Sequence, residues 1–110
     1  MKLQILFILI LSAITMQGQI IYPTDFKSEA NIKVYVTEFK SESDLVVYKT
    51  NFKSEISPND GIWYFTTFKS EAKKNIYFTK FKSEADLIVY FTSFKSESGW
   101  RNQKKQHLLD

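Results

Sequence analysis

The 110-residue chain has no cysteine, and its one histidine is His107. The first absence excludes disulfides, a lipid-modified cysteine and a thiol nucleophile, and the second leaves metal ligation and histidine-based catalysis almost without material. An excess of one charge is also lacking. The formal net charge is +3, or +2 once Lys2 is removed, and the excess is local, at Lys73 and Lys74 and in the tail at Arg101, Lys104 and Lys105. Nucleic-acid binding would need a one-sided basic stripe, so no nucleic-acid partner is expected. Long hydrophobic runs are missing too, because the apolar stretch at residues 5–14 is about half of the roughly 20 residues a spanning helix needs. No stable membrane span is expected.

That stretch follows Lys2 and precedes a polar segment containing Gly18, which is the layout of a secretory signal peptide. The expected division is residues 1–18 as a removed signal, with Met16 a poor residue three positions before the cut, and residues 19–110 as one domain. The expected location is outside the cytoplasm, secreted or periplasmic. A domain of this size is marginally stable by burial alone and commonly relies on disulfides. Without them another staple is needed, and the 16% aromatic content is one candidate.

What the chain does have is repetition. Phe-Lys-Ser-Glu begins at Phe26, Phe39, Phe52, Phe68, Phe81 and Phe94, in steps of 13, 13, 16, 13 and 13 residues. Each occurrence is preceded by Tyr-x-Thr-x-Phe, from Tyr22, Tyr35, Tyr48, Tyr64, Tyr77 and Tyr90. The units alternate with period two and are rich in β-branched and aromatic residues, which predicts six short strands in an all-β or β-rich fold. Tyr, Thr and Phe then share one face and are expected to form the core. Val34, Val36 and Glu38, or Val89, Phe91 and Ser93, lie on the other face, so both faces are expected to be partly buried.

Between strands, Lys-Ser-Glu-Ala-Asn/Asp predicts a one-turn helical corner. Ser28, Ser41, Ser70 and Ser83 are expected as caps, with Asn31, Asp44 or Asp86 three residues on, and Phe as the anchor that ends the strand. Such a corner is shorter than the dozen residues a parallel crossover normally requires, which predicts antiparallel neighbours or strands in different sheets. The step of 16 comes from a turn inserted at residues 57–61. It divides the chain into halves offset by 42 residues and predicts pseudo-twofold symmetry. After Phe94 the pattern stops. The tail is not expected to be a seventh strand, and Trp100, Leu108 and Leu109 are expected to pack on the body with the cations outward.

The tandem units closed by Gly99-Trp-Arg-Asn-Gln-Lys-Lys-Gln-His-Leu-Leu109 resemble the septoil-knot family of small bacterial proteins, over essentially all of the chain from Ile20. The resemblance implies a backbone tied in a seven-crossing torus knot. A knot would supply the missing staple, since such a chain leaves its native state only by withdrawing an end.

The chemistry available is slight. A Ser-His-Asp triad through His107 would have to choose one of six equivalent serines, and no catalytic, cofactor or metal residues are assigned. Glu29, Glu42, Glu55, Glu71, Glu84 and Glu97 could ring a cation, but the lysine two residues before each favours salt bridging. A regular threonine array would suit an ice-binding surface, but the flanking aromatics weigh against it. The expected function is a secreted, non-enzymatic structural or interaction module of high kinetic stability, a monomer. Its candidate partner contacts are Trp100, Arg101, Lys104, Lys105 and His107, and its partner is unspecified. The alternative is a carbohydrate or surface-polymer binding protein, which needs exposed Tyr or Trp rings.

Overall fold

The computed structural model of the protein describes residues 19–56 and 59–110, so the expected signal segment lies outside the described residues. Six strands, β1 (Gln19–Pro23), β2 (Ile32–Val36), β3 (Leu45–Thr50), β4 (Ile62–Phe65), β5 (Lys74–Phe78) and β6 (Leu87–Thr92), follow the repeat unit for unit. They close into one barrel in the order β4-β1-β5-β2-β6-β3, with β3 returning to β4. The halves β1–β3 and β4–β6 interleave strand by strand, each strand pairing with its counterpart, which relates the halves by a step of one strand around the barrel. Every pairing inside the barrel is parallel.

The parallel, single-sheet arrangement corrects the expectation of antiparallel neighbours or separate sheets, and the register explains it. Ile21, one residue before Tyr22, pairs with Lys74, three before Tyr77. Ile76, one before Tyr77, pairs in turn with Ile32, three before Tyr35. Each strand is thus displaced by two residues against its neighbour, always in the same sense. Pro23, ending β1, lies level with Ile32, starting β2, and only Ile76 stands between them. The connection therefore crosses two inter-strand spacings, about 10 Å, and never runs back along a strand as an in-register crossover must. Six displacements of two residues make twelve around the barrel, a stagger that tilts the strands roughly 50° from its axis.

Because the displacement is even, inward-facing residues always adjoin inward-facing residues. The residue before each tyrosine forms one complete layer, Ile21, Val34, Val47, Trp63, Ile76 and Val89, in which every side chain is fully buried. Ile32, Leu45, Leu87 and the polar Gln19 lie buried beneath it. The core is thus the face opposite the Tyr-Thr-Phe face, which corrects the expectation that those residues form it. The tyrosines lie half-buried outside the barrel, the threonines are buried, and the six Phe-Lys-Ser-Glu phenylalanines are 61–67% exposed.

The corners explain this division. After Pro23, the N–H of Thr24 donates to the Ile76 carbonyl and that of Asn31 to the Asn75 carbonyl, so residues 25–30 arch over β5. Thr37 and Asp44 make the same bonds on β6, Thr66 and Lys73 on β1, and Thr79 and Asp86 on β2. Each arch is a single 3-10 turn, Lys27–Glu29, Lys40–Glu42, Lys53–Glu55, Lys69–Glu71, Lys82–Glu84 or Lys95–Glu97. Its N-cap is the extended phenylalanine, with no side-chain cap bond. Serine is therefore not the cap, contrary to expectation, because it sits inside the turn, beyond the N–H that needs a partner. Threonine supplies that partner. Its hydroxyl, two residues before the phenylalanine, accepts the phenylalanine N–H at 3.0–3.2 Å in all six repeats. The side chains of Asn31, Asp44 and Asp86 serve the bridged strand instead of their own turn, accepting from the N–H groups of Asn75, Ile88 and Lys33.

Candidate functional site

Three features distinguish the barrel from a bare scaffold: a charged girdle, an open end and a sealed end. The girdle joins the six corners. Lys27 bridges to Glu84, Lys82 to Glu42, Lys40 to Glu97, Lys95 to Glu55, Lys53 to Glu71 and Lys69 to Glu29, at 2.5–3.7 Å. Followed corner to corner, these pairs return to their start in the same cyclic order as the strands. Salt bridging is thus the role of the repeated Lys and Glu, but it runs between units and not within them. Among the described residues no cluster of His, Cys, Asp or Glu is arranged to hold a metal ion.

The girdle's electrostatics are those of hydrogen-bonded, exposed ion pairs. The Thr66 hydroxyl first and Lys53 second hold the Glu71 carboxyl below the usual carboxylate range, and Thr79 and Lys27 do the same for Glu84. The Thr50 hydroxyl is the main influence lowering Glu55. Hydrogen bonds to Glu71, Glu29 and Glu42 raise Lys53, Lys69 and Lys82 respectively. One threonine thus orders the corner's backbone with its oxygen and, in four repeats, the corner's carboxylate with its proton. With the threonine of every repeat buried, the described residues present no regular solvated threonine array.

The open end is formed where the strands finish. The residue after each tyrosine, Pro23, Val36, Lys49, Phe65, Phe78 and Phe91, lines a cavity of about 450 Å³. The cavity is floored by the buried layer: the Trp63 ring lies edge-on to Phe65 and Phe91, with centroids 6.1 and 6.4 Å apart. Lys49 Nζ stands 5.0 Å from the Phe65 ring centroid and 5.7 Å from that of Phe91. The alternation of the sequence put Val36 and Phe91 together on the face opposite Tyr-Thr-Phe. What it did not reveal is that this position is the last or next-to-last of each strand, so that six such residues meet at an unroofed rim.

The sealed end is built from the non-repetitive residues. Gly99–Trp100 form β7, antiparallel to β3 at Leu45 and Val46, which departs from the expectation that the tail contributes no strand. The N–H groups of Arg101 and Asn102 both donate to the Asp44 carbonyl. Asn102 then caps a 3-10 segment, Gln103–Leu109, through the Lys104 N–H. Leu109 is fully buried in the core cluster, and its carbonyl accepts a bond from Gln19 Nε2 at 3.0 Å. Gly61, at φ +92°, marks where the inserted turn passes this tail. A β-carbon there would lie 2.5 Å from the Val46 carbonyl oxygen and 2.9 Å from the Gly99 nitrogen.

The five residues singled out in the tail divide between these environments. Trp100 is half-buried, with its indole N–H donated to the carbonyl and side-chain oxygens of Asn59. Lys105 is held by the Asp44 carboxylate at 3.5 Å and the Asp86 carbonyl at 2.9 Å. Arg101, Lys104 and His107 are exposed, with Arg101 reaching the Ser41 carbonyl at 3.5 Å. The tail thus brings Trp100 and Lys105 against the barrel and leaves the other three facing solvent.

Residues 18–101 match the family model of the 7(1) septoil knot domain. The chain belongs to the septoil-knot family. The match takes in the whole barrel and β7 and stops before the last 3-10 segment, so the septoil-knot unit comprises all six repeats. No curated protein and no solved structure matches the chain.

Proposed function

We propose that this septoil-knot domain is an exported, non-enzymatic module whose working property is slow unfolding. The observation that supports the reading is the sealed base, where a terminus that differs from every repeat is seated in the core of a barrel that has no free edge. A six-stranded closed sheet offers no strand from which fraying can start. Opening must begin at a chain end, and at the C-terminus that end is pinned by Leu109, Trp100 and the two bonds to Asp44. Six equivalent serines and an exposed His107 are consistent with a structural role. Denaturant-jump kinetics test the proposal. The full domain is expected to unfold orders of magnitude more slowly than the chain ending at Ser98, and equal rates would refute it.

The alternative, binding of an extracellular polymer, is favoured by one observation of its own. The exposed rings are the six corner phenylalanines, while Trp63 is fully buried and the tyrosines are half-covered. A ring of exposed phenyls is costly to solubility and is not needed by the core. If it contacts an extracellular polysaccharide, replacing all six with serine abolishes retention on the immobilised polymer while the unfolding rate stays unchanged.

A further inference from the structure

We propose that the open end of the barrel is a binding well for a small hydrophobic monocarboxylate, its carboxylate set against Lys49 Nζ and its apolar body against Phe65, Phe78 and Phe91. The repeat provides an internal control for the argument. At the position after the tyrosine, five of six units carry an apolar residue and only one carries a charge, Lys49. The fold does not require that charge, since valine or phenylalanine fills the same place in other strands. The corner lysines are each paired with a carboxylate, whereas no carboxylate of the described residues pairs with Lys49, whose ammonium rests on the Phe65 and Phe91 rings. An apolar well with one unpaired cation at its rim selects for an apolar molecule with one negative charge.

The other features of the well narrow the class. Its volume, about 450 Å³, lies within the range of small-molecule sites. The fully buried layer of Trp63, Val89 and their four equivalents closes it below, so a long chain cannot thread through the barrel. Apart from Lys49, the six lining residues carry no side-chain donor or acceptor for a sugar, whose hydroxyls would lose their water without replacement. A cation would meet Lys49 as a like charge.

Three eight-carbon probes that differ only in the head group test the proposal: octanoate, octan-1-ol and octylammonium, titrated into the uniformly 15N-labelled domain. Octanoate is expected to give saturable shifts centred on the amides of Val36, Lys49, Phe65, Phe78 and Phe91, and to bind about tenfold or more tightly than the alcohol. Lys49→Met keeps the apolar stem and is expected to equalise octanoate and octan-1-ol, and Lys49→Glu is expected to turn the preference to octylammonium. Lys49 is an exposed rim residue, so both variants are expected to keep the dispersed spectrum of the parent. Equal binding of all three probes to the parent, shifts centred on the corner phenylalanines, or no shift at about 10 mM octanoate would overturn the proposal. None of these outcomes depends on the unfolding rate, so the well and the slow-unfolding reading stand or fall separately.

Discussion

The two ends of the barrel are made from the same repeat and finish differently. At the base, Gln19, Leu45 and Ile32 are buried beneath Leu109 and the tail, and Asn59 is bonded to Trp100 and to the Asp110 carboxylate. At the mouth, three phenylalanines and a lysine surround open space. Because the strands are all parallel, one end collects the strand starts and the other the strand finishes, but the repeat by itself covers neither. The seal at the base comes from the two stretches that break the period, the inserted turn before Gly61 and the tail after Ser98. Repeated residues build the wall, and the exceptions decide which end is a floor and which an opening.

Removing residues 99–110 should erase that difference, and it is the largest effect expected. Losing Leu109 and β7 uncovers the base, and the domain should unfold faster by orders of magnitude in denaturant-jump experiments. Next comes Gly61→Ala, which forces a β-carbon into backbone atoms at a positive φ. It should cost about 3 kcal/mol or more in equilibrium denaturation, while Gly99→Ala, at φ +148° with nothing nearby, should cost about 1 kcal/mol. Leu109→Ala should cost about 2–5 kcal/mol as a buried large-to-small change, whereas Val36→Ala at the mouth should fall within about 0.5 kcal/mol. A base substitution no costlier than its mouth counterpart would break the comparison.

Smaller effects separate wall from girdle. Thr79→Val keeps the shape and removes the acceptor of the Phe81 N–H, and should cost about 1 kcal/mol. The girdle should show itself through pH. The carboxyls of Glu55, Glu71 and Glu84 are held low in the folded state, so their contribution is present above the ordinary glutamate range and is lost as pH falls through the lowered values. The ammonium groups of Lys53, Lys69 and Lys82 are held high, so theirs is present below the ordinary lysine range and is lost as pH rises through the raised values. Urea midpoints should therefore be flat near neutrality and fall on both sides, with Glu84→Gln shrinking only the acid limb.

The strands and corners were legible because a 13-residue spacing with period-two alternation repeats six times and leaves few other geometries. Their direction was not. The rule that short corners exclude parallel neighbours assumes strands in register, and the two-residue displacement between Ile21 and Lys74 is a property of the assembled barrel that no single repeat displays. The cap was misread for a related reason. Ser28 has the right chemistry, but Thr24, farther back on extended chain, lies where the Phe26 N–H points. Of the candidate site, the tail's docking was legible from its stranded apolar residues. The mouth was not, since Lys49 looks like any solvated strand lysine until closure sets Phe65 and Phe91 beside it.

Closure of the sheet also limits how this architecture can change in length. A linear array of repeats can gain a unit at either end, because the terminal unit always presents a face for the newcomer. Here β3 already pairs with β4, so a seventh copy of the 13-residue block would find no vacant ladder, and a lost copy would leave two edges unable to meet at the same stagger. Gene-level duplication or deletion of one block should therefore yield no stable closed barrel.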